Sequence, residues 1–218
     1  MASLNMQSIK VRVAKGVASD HVCQRAAESR AKTVFEDAVL GLQKEFEDSK
    51  ITQEIDGGIA SKNISETLRG GEAPENLFSF IGFDEGTYPT DEIRKRLDPD
   101  HKDGPKFKYS GKLKSDDLQY KFTISAPDKN AIYSATPLPW AEGMSWAQKI
   151  ERSIPGFTKF LPKFMTSKNS RSGGGIQVKS DLRGARFIPP KDKYLSGMIS
   201  NFINRIKSYN TRGFKKRF

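Results

Sequence analysis

The stretch DHVCQRAAESRAKTVFEDAVLGLQKEFED, residues 20–48, decides how the rest of the chain is read. Cys23, Ala26, Ala27, Val34, Phe35, Ala38, Val39, Leu42 and Phe46 recur largely at three- and four-residue steps, the period of one buried helical face. Arg25, Glu28, Arg30, Lys32, Glu36, Lys44 and Glu47 fall on the other side as a water-facing mixture. Ser19 or Asp20 can serve as N-cap, so a helix of about 45 Å is predicted over residues 19–48. Gly41 is the one residue inside it that weakens the pattern.

Upstream, Ile9, Val11 and Val13 alternate with Lys10 and Arg12, which predicts a short strand over residues 9–13. Downstream, Gly57-Gly58 ends the helical region, and Asn63–Leu68 has room for a further turn or two before Gly70-Gly71. The run Leu77–Phe83 is apolar on both faces and reads as a buried strand. From Gly86 to Gly104 the chain is charged and broken by proline, a loop with a short helix around Glu92–Leu97. Phe107 and Tyr109 alternate with lysines, as do Tyr120, Phe122 and Ile124 with Lys121, Thr123 and Ser125. These runs read as half-buried antiparallel partners joined by a connection containing Gly111.

Ser145 with Gln148 makes a capping box, so Trp146–Arg152 is predicted as a short helix stopped at Pro155-Gly156. Residues 158–186 follow neither period and read as a long Gly-rich basic loop or arm, with a brief strand near Ile176–Val178. Pro189-Pro190 then precede an amphipathic helix bearing Leu195, Met198, Ile199, Phe202, Ile203 and Ile206 on one face. Strands grouped between helices give an α+β class. The expectation is a single domain over residues 1–218: a long N-terminal helix, an antiparallel sheet of about four strands, a C-terminal amphipathic helix, long loops, and a basic tail at 207–218. The 36% hydrophobic content is enough for such a core.

Charge is segregated along the chain. Residues 151–218 hold 16 Lys and Arg against 3 Asp and Glu, a net +13, whereas residues 1–150 hold 21 against 23, a net −2. Such asymmetry suits a polyanion or an acidic protein surface. With one cysteine, Cys23, no intramolecular disulfide can form, and a soluble protein made in a reducing compartment is expected.

Catalytic patterns fail on spacing. Gly173, Gly174 and Gly175 lack the Walker spacing and lack the strand-then-helix setting of a dinucleotide fingerprint. Asp84, Glu85, Asp91, Glu92, Asp98, Asp100 and Asp103 gather as a metal site would, but Arg94, Lys95, Arg96 and Lys102 sit among them, and turn-forming Asp is common beside Gly and Pro. His21 and His101 have no nucleophile pattern nearby, and Cys23 reads as a small buried apolar residue. No cofactor or metal is expected and no enzyme is predicted. Basic residues interleaved with Phe157, Phe160, Phe164, Phe187, Phe214 and Phe218 leave a nucleic-acid-binding protein as the alternative, with a metal-dependent nuclease as a remote third.

The order of long helix, sheet, Trp146-Ala147-Gln148-Lys149-Ile150-Glu151, Gly-rich loop, and Ala185-Arg186-Phe187-Ile188-Pro189-Pro190 before a closing helix resembles the tail-completion, or head-tail joining, proteins of tailed bacteriophages. That family places Ala-Arg-Pro-Phe, an apolar residue and a proline before its last helix. Here the proline between Arg186 and Phe187 is missing and the Gly-rich loop is longer. The likeness covers the final third by motif and the remainder by element order. It implies a virion structural protein of the neck or tail, made in the host cytoplasm. Such a protein would form a homo-oligomeric ring around the DNA channel, with portal, adaptor or tail neighbours and no membrane. The basic residues expected to make assembly or polyanion contacts are Arg171, Lys179, Arg183 and Arg186 in the arm, with Arg212, Lys215, Lys216 and Arg217 in the tail.

Overall fold

A computed structural model describes residues 6–13, 19–69, 76–113, 118–139, 141–152, 159–162, 175–178, 186–191 and 193–215. It is a mixed helix-and-sheet protein with a long helix near its start, a three-stranded antiparallel sheet and a long closing helix. The chain divides into two compact units, and each of those two long helices is shared between them. Unit one is Met1–Lys44, Arg96–Asp128 and Met198–Phe218; unit two is Glu45–Lys95 and Lys129–Gly197.

In unit one, β1 (Met6–Val13), β3 (Lys106–Leu113) and β4 (Leu118–Ser125) form a sheet in the order β1-β4-β3. The central strand β4 buries Tyr120, Phe122 and Ile124, the alternate positions that its sequence pattern marks. Register sets Phe122 opposite Ile9 on one side and Tyr109 on the other. Phe122 stacks on Phe107 with centroids 5.4 Å apart, and Phe107 meets Phe35 at 5.7 Å. Phe35 belongs to α1 (Asp20–Glu47), whose buried Cys23, Ala27, Ala31, Ala38 and Leu42 are mostly small, so the helix surface is low along that stripe. Asp20 in its first turn accepts from Tyr120 Oη and from Lys112 Nζ at 2.9 Å. The Tyr120 bond first, then the Lys112 bond, holds its carboxyl below the ordinary range.

Gly111 lies inside β3 and not in a connection as expected: at φ 121 it forms a bulge against β4, a conformation that disfavours any side chain. Residues 114–117, which join the two strands, are outside the described set.

Unit two contains α2 (Lys50–Asp56), α3 (Leu77–Ile81), α5 (Lys129–Ser134) and α6 (Trp146–Arg152), with α4 (Asp91–Leu97) crossing its boundary at Lys95. Its strands form three two-stranded pairs: β2 (Leu68–Arg69) with β9 (Arg186–Phe187), β5 (Pro137–Leu138) with β6 (Ala141–Ser145), and β7 (Lys159–Pro162) with β8 (Gly175–Val178). Trp146 is the largest fully buried side chain among the described residues and meets Phe83 edge-on at 5.6 Å, while Phe80 stacks on Phe187 at 6.1 Å. Ser145 Oγ accepts from Gln148 N at 3.1 Å, which caps α6 as its sequence indicates. Pro155-Gly156 lie outside the described residues.

Residues 77–83 are not a strand. Asn76 Oδ1 accepts from Ser79 N at 2.9 Å to start a helix, and Gly82, left-handed at φ 85, ends it. Gly82 N and Phe83 N return to Phe78 O, both at 3.2 Å. An apolar run buried on every side carries no period, so its ends decided the conformation. The expected brief strand at Ile176–Val178 is present as part of β8, in register with Lys159–Leu161. The closing helix α7 runs Tyr194–Lys215 and buries Leu195, Ile199, Phe202 and Ile206; the expected tail is thus helical as far as Lys215.

Candidate assembly surface

Of the eight basic residues singled out in the sequence, Arg171, Lys179, Arg183, Lys216 and Arg217 lie outside the described residues. Arg186 sits in β9 at the register position opposite Arg69. Arg212 and Lys215 lie in the last turns of α7. The structure thus places Arg186 on one element and Arg212 and Lys215 together on another.

The residues between β9 and α7 have a definite structural setting. Phe187 is buried in unit two, Ile188 N donates to Thr67 O at 2.6 Å, and Pro189-Pro190 lead toward the first turn of α7. That first turn is held by Glu151 of α6: Oε1 accepts from Ser196 N, and Oε2 accepts from Ser196 Oγ at 2.6 Å and Tyr133 Oη at 2.7 Å. A carboxylate facing unsatisfied amides at a helix start both fills acceptors and opposes the helix dipole. Burial, then Glu151, raises the Tyr133 hydroxyl above its ordinary range.

An open groove of about 570 Å³ lies in unit one between α1 and α7. Arg30, Thr33 and Asp37 line one wall and Arg205, Ser208 and Tyr209 the other. Arg30 Nε donates to Tyr209 Oη, and its guanidinium lies 5.7 Å from the Tyr209 ring centroid. Arg205 and Tyr209, four residues apart, share one face of α7. A methyl group at Gly41 would meet the Arg205 guanidinium, the movable end of a long side chain, so the glycine leaves room for Arg205 where it lies. Two guanidinium groups, hydroxyls and an aromatic ring suit anionic oxygens, with the Asp37 carboxylate standing among them. The sequence pattern puts Arg30 on the water-facing side of its helix and names no partner for it, and Gly41 entered only as a weakness in that helix.

The acidic residues of unit two are arranged differently. Arg94 directs all of its N–H groups to acceptors: Nε to Glu47 at 2.7 Å, Nη2 to Glu47 at 2.9 Å and to Asp56, Nη1 to Thr90 at 2.7 Å and Asp91 at 3.0 Å. Its guanidinium also lies 5.6 Å from the Phe46 ring centroid. The Glu47 bond, more than the Asp56 and Asp91 bonds, strengthens its hold on the proton; Glu47 is in turn lowered by Arg94. Glu92 pairs with Lys95 at 2.6 Å; in unit one, Asp98 Oδ1 accepts Asp100 N at 2.8 Å. Among the described residues no three His, Cys, Asp or Glu side chains are grouped to hold a metal ion.

Glu54, fully buried, is the other notable carboxylate. Oε1 accepts Leu77 N at 2.7 Å and Oε2 accepts Ser65 N at 2.8 Å, while burial raises its pKa. It ties α2 to the segment before β2 and to the start of α3.

Among the described residues no helix is long and apolar enough to cross a membrane. Compared with family models, curated proteins and solved structures, the chain matches none of them.

Proposed function

We propose that the chain is a non-enzymatic structural subunit of a tailed-phage neck, a tail-completion protein that joins head to tail by assembling as a ring around the DNA channel. The observation that carries this reading is the Arg186–Pro190 run, with β9 paired to β2, Phe187 buried and α7 begun under the Glu151 clamp. Those residues carry the resemblance, and their anchorage supports a fixed origin for the basic helix that follows. The mechanism is binding through complementary surfaces, with net +13 in residues 151–218 available to DNA or to acidic neighbours.

The Arg30–Arg205–Tyr209 groove favours one second reading, a monomeric basic protein that grips nucleic acid. Mass photometry and negative-stain electron microscopy at low and physiological salt separate the two. Symmetric closed rings are expected. A monomer that binds duplex DNA with affinity falling steeply as salt rises would replace the ring reading with the second.

A further inference from the structure

In unit two a cleft of about 200 Å³ opens beside the end of α2. Ile59 and Phe78 supply apolar wall, and Tyr88 stands at its edge with 68% of its surface exposed. Glu85 lines it too, and makes no hydrogen bond or ion pair with any described residue. Its acidic neighbours are committed: Asp56 to Arg94 and Thr90, Asp91 to Arg94, Glu92 to Lys95. The cleft therefore presents an uncommitted carboxylate next to an exposed aromatic face. That combination takes a Lys or Arg side chain flanked by apolar groups, the cation lying over the ring and paired with the carboxylate.

The chain itself contains a segment of that chemistry. Arg212-Gly213-Phe214-Lys215-Lys216-Arg217-Phe218 has four cations, two phenylalanines and no acid. The cleft lining holds Asp56 and Glu85 and no Lys or Arg, so its charge complements that segment. We infer that the Glu85–Tyr88–Ile59 cleft is the docking site for residues 212–218 of a second copy of this chain. The contact is heterologous, cleft to tail, and repeated around an axis it closes a ring. It rests on the ring reading and names the surface that reading needs.

The test uses the full chain in two variants: a cleft variant, Glu85→Lys with Tyr88→Ala, and a tail variant, Lys215→Glu with Lys216→Glu and Arg217→Glu. Glu85 and Tyr88 are exposed, so the cleft variant is expected to fold; circular dichroism checks both. Mass photometry at physiological salt should show each variant alone as monomer and their mixture as a one-to-one pair that grows no further. A labelled peptide of residues 207–218 should bind the tail variant, whose cleft is intact, at least tenfold more tightly than the cleft variant. If the wild type forms rings and both variants form them equally, the inference fails while the ring reading stands. If the wild type stays monomeric, the ring reading fails, and equal peptide binding to the two variants, or none, overturns the cleft as well.

Discussion

Two arginine sites in this protein show how the same side chain can be closed or left available. Arg94 in unit two gives every N–H to Glu47, Asp56, Thr90 or Asp91. Arg30 in unit one gives Nε to Tyr209 at the edge of an open groove that also contains Arg205. A guanidinium with all donors spent on internal acceptors is a fastening; one facing a groove keeps donors for a ligand. Sequence position does not separate these cases, because both arginines stand among acids on helical segments. The difference lies in how many acceptors converge from elsewhere in the chain.

The largest effect is expected at Arg94. Replacing it by Ala strands Glu47 and Asp56 without their cation, and a loss of about 3 kcal/mol in urea unfolding is expected. Arg94→Lys keeps the charge but cannot reproduce the forked geometry, so about half of that loss should remain. A change under about 0.5 kcal/mol for Arg94→Ala would mean that the site is an ordinary surface pair.

Glu54→Gln comes next, because it turns an amide NH₂ toward one of two backbone N–H donors. About 1–2 kcal/mol should be lost at neutral pH. Burial raises the folded-state pKa of the wild-type carboxyl above its ordinary value of 4.5. Its linkage contribution is therefore full below that value and is lost as pH rises through the folded-state pKa. Asp20 and Glu47, lowered by their partners, run in the opposite direction. The stability difference between wild type and Glu54→Gln isolates the Glu54 contribution, and it should narrow as pH rises above that ordinary value; a difference independent of pH would contradict the assignment.

Smaller effects sharpen the groove. Gly41→Ala alone should change stability by less than about 0.5 kcal/mol, because better helix propensity is offset by displacement of Arg205. Combined with Arg205→Ala it should gain about 0.5–1 kcal/mol over Arg205→Ala alone in thermal unfolding. Arg30→Ala with Arg205→Ala should shift stability least, within about 0.5 kcal/mol. If the groove contacts polyanions, the same pair should weaken binding of heparin or duplex DNA several-fold and flatten its salt dependence. Unchanged binding would confine those contacts to residues elsewhere.

Elements with a strong period were legible. The Cys23–Phe46 face gave α1 to within one residue at each end, Asp20–Glu47, and the Ser145–Gln148 box located α6 at Trp146–Arg152. Alternation identified β4 and its partner β3. The failures have a common physical form. Leu77–Phe83 has no period because it is buried on every side, so Asn76, Gly82 and the distant Glu54 determined its helix. Gly111 looked like a turn residue, but a bulge needs the same positive φ. The candidate surface was only partly legible: its charge could be counted, but Arg30 and Tyr209 are 179 positions apart and meet only through helix packing.

The sequence by itself therefore determined the amphipathic helices, the alternating strands, the α+β class and the segregation of charge, since each depends on neighbours within a few positions. Tertiary structure alone decided which charges are closed and which remain open to a partner. Satisfying a guanidinium or a carboxylate needs acceptors and donors from several elements at once, and no local pattern records whether they arrive.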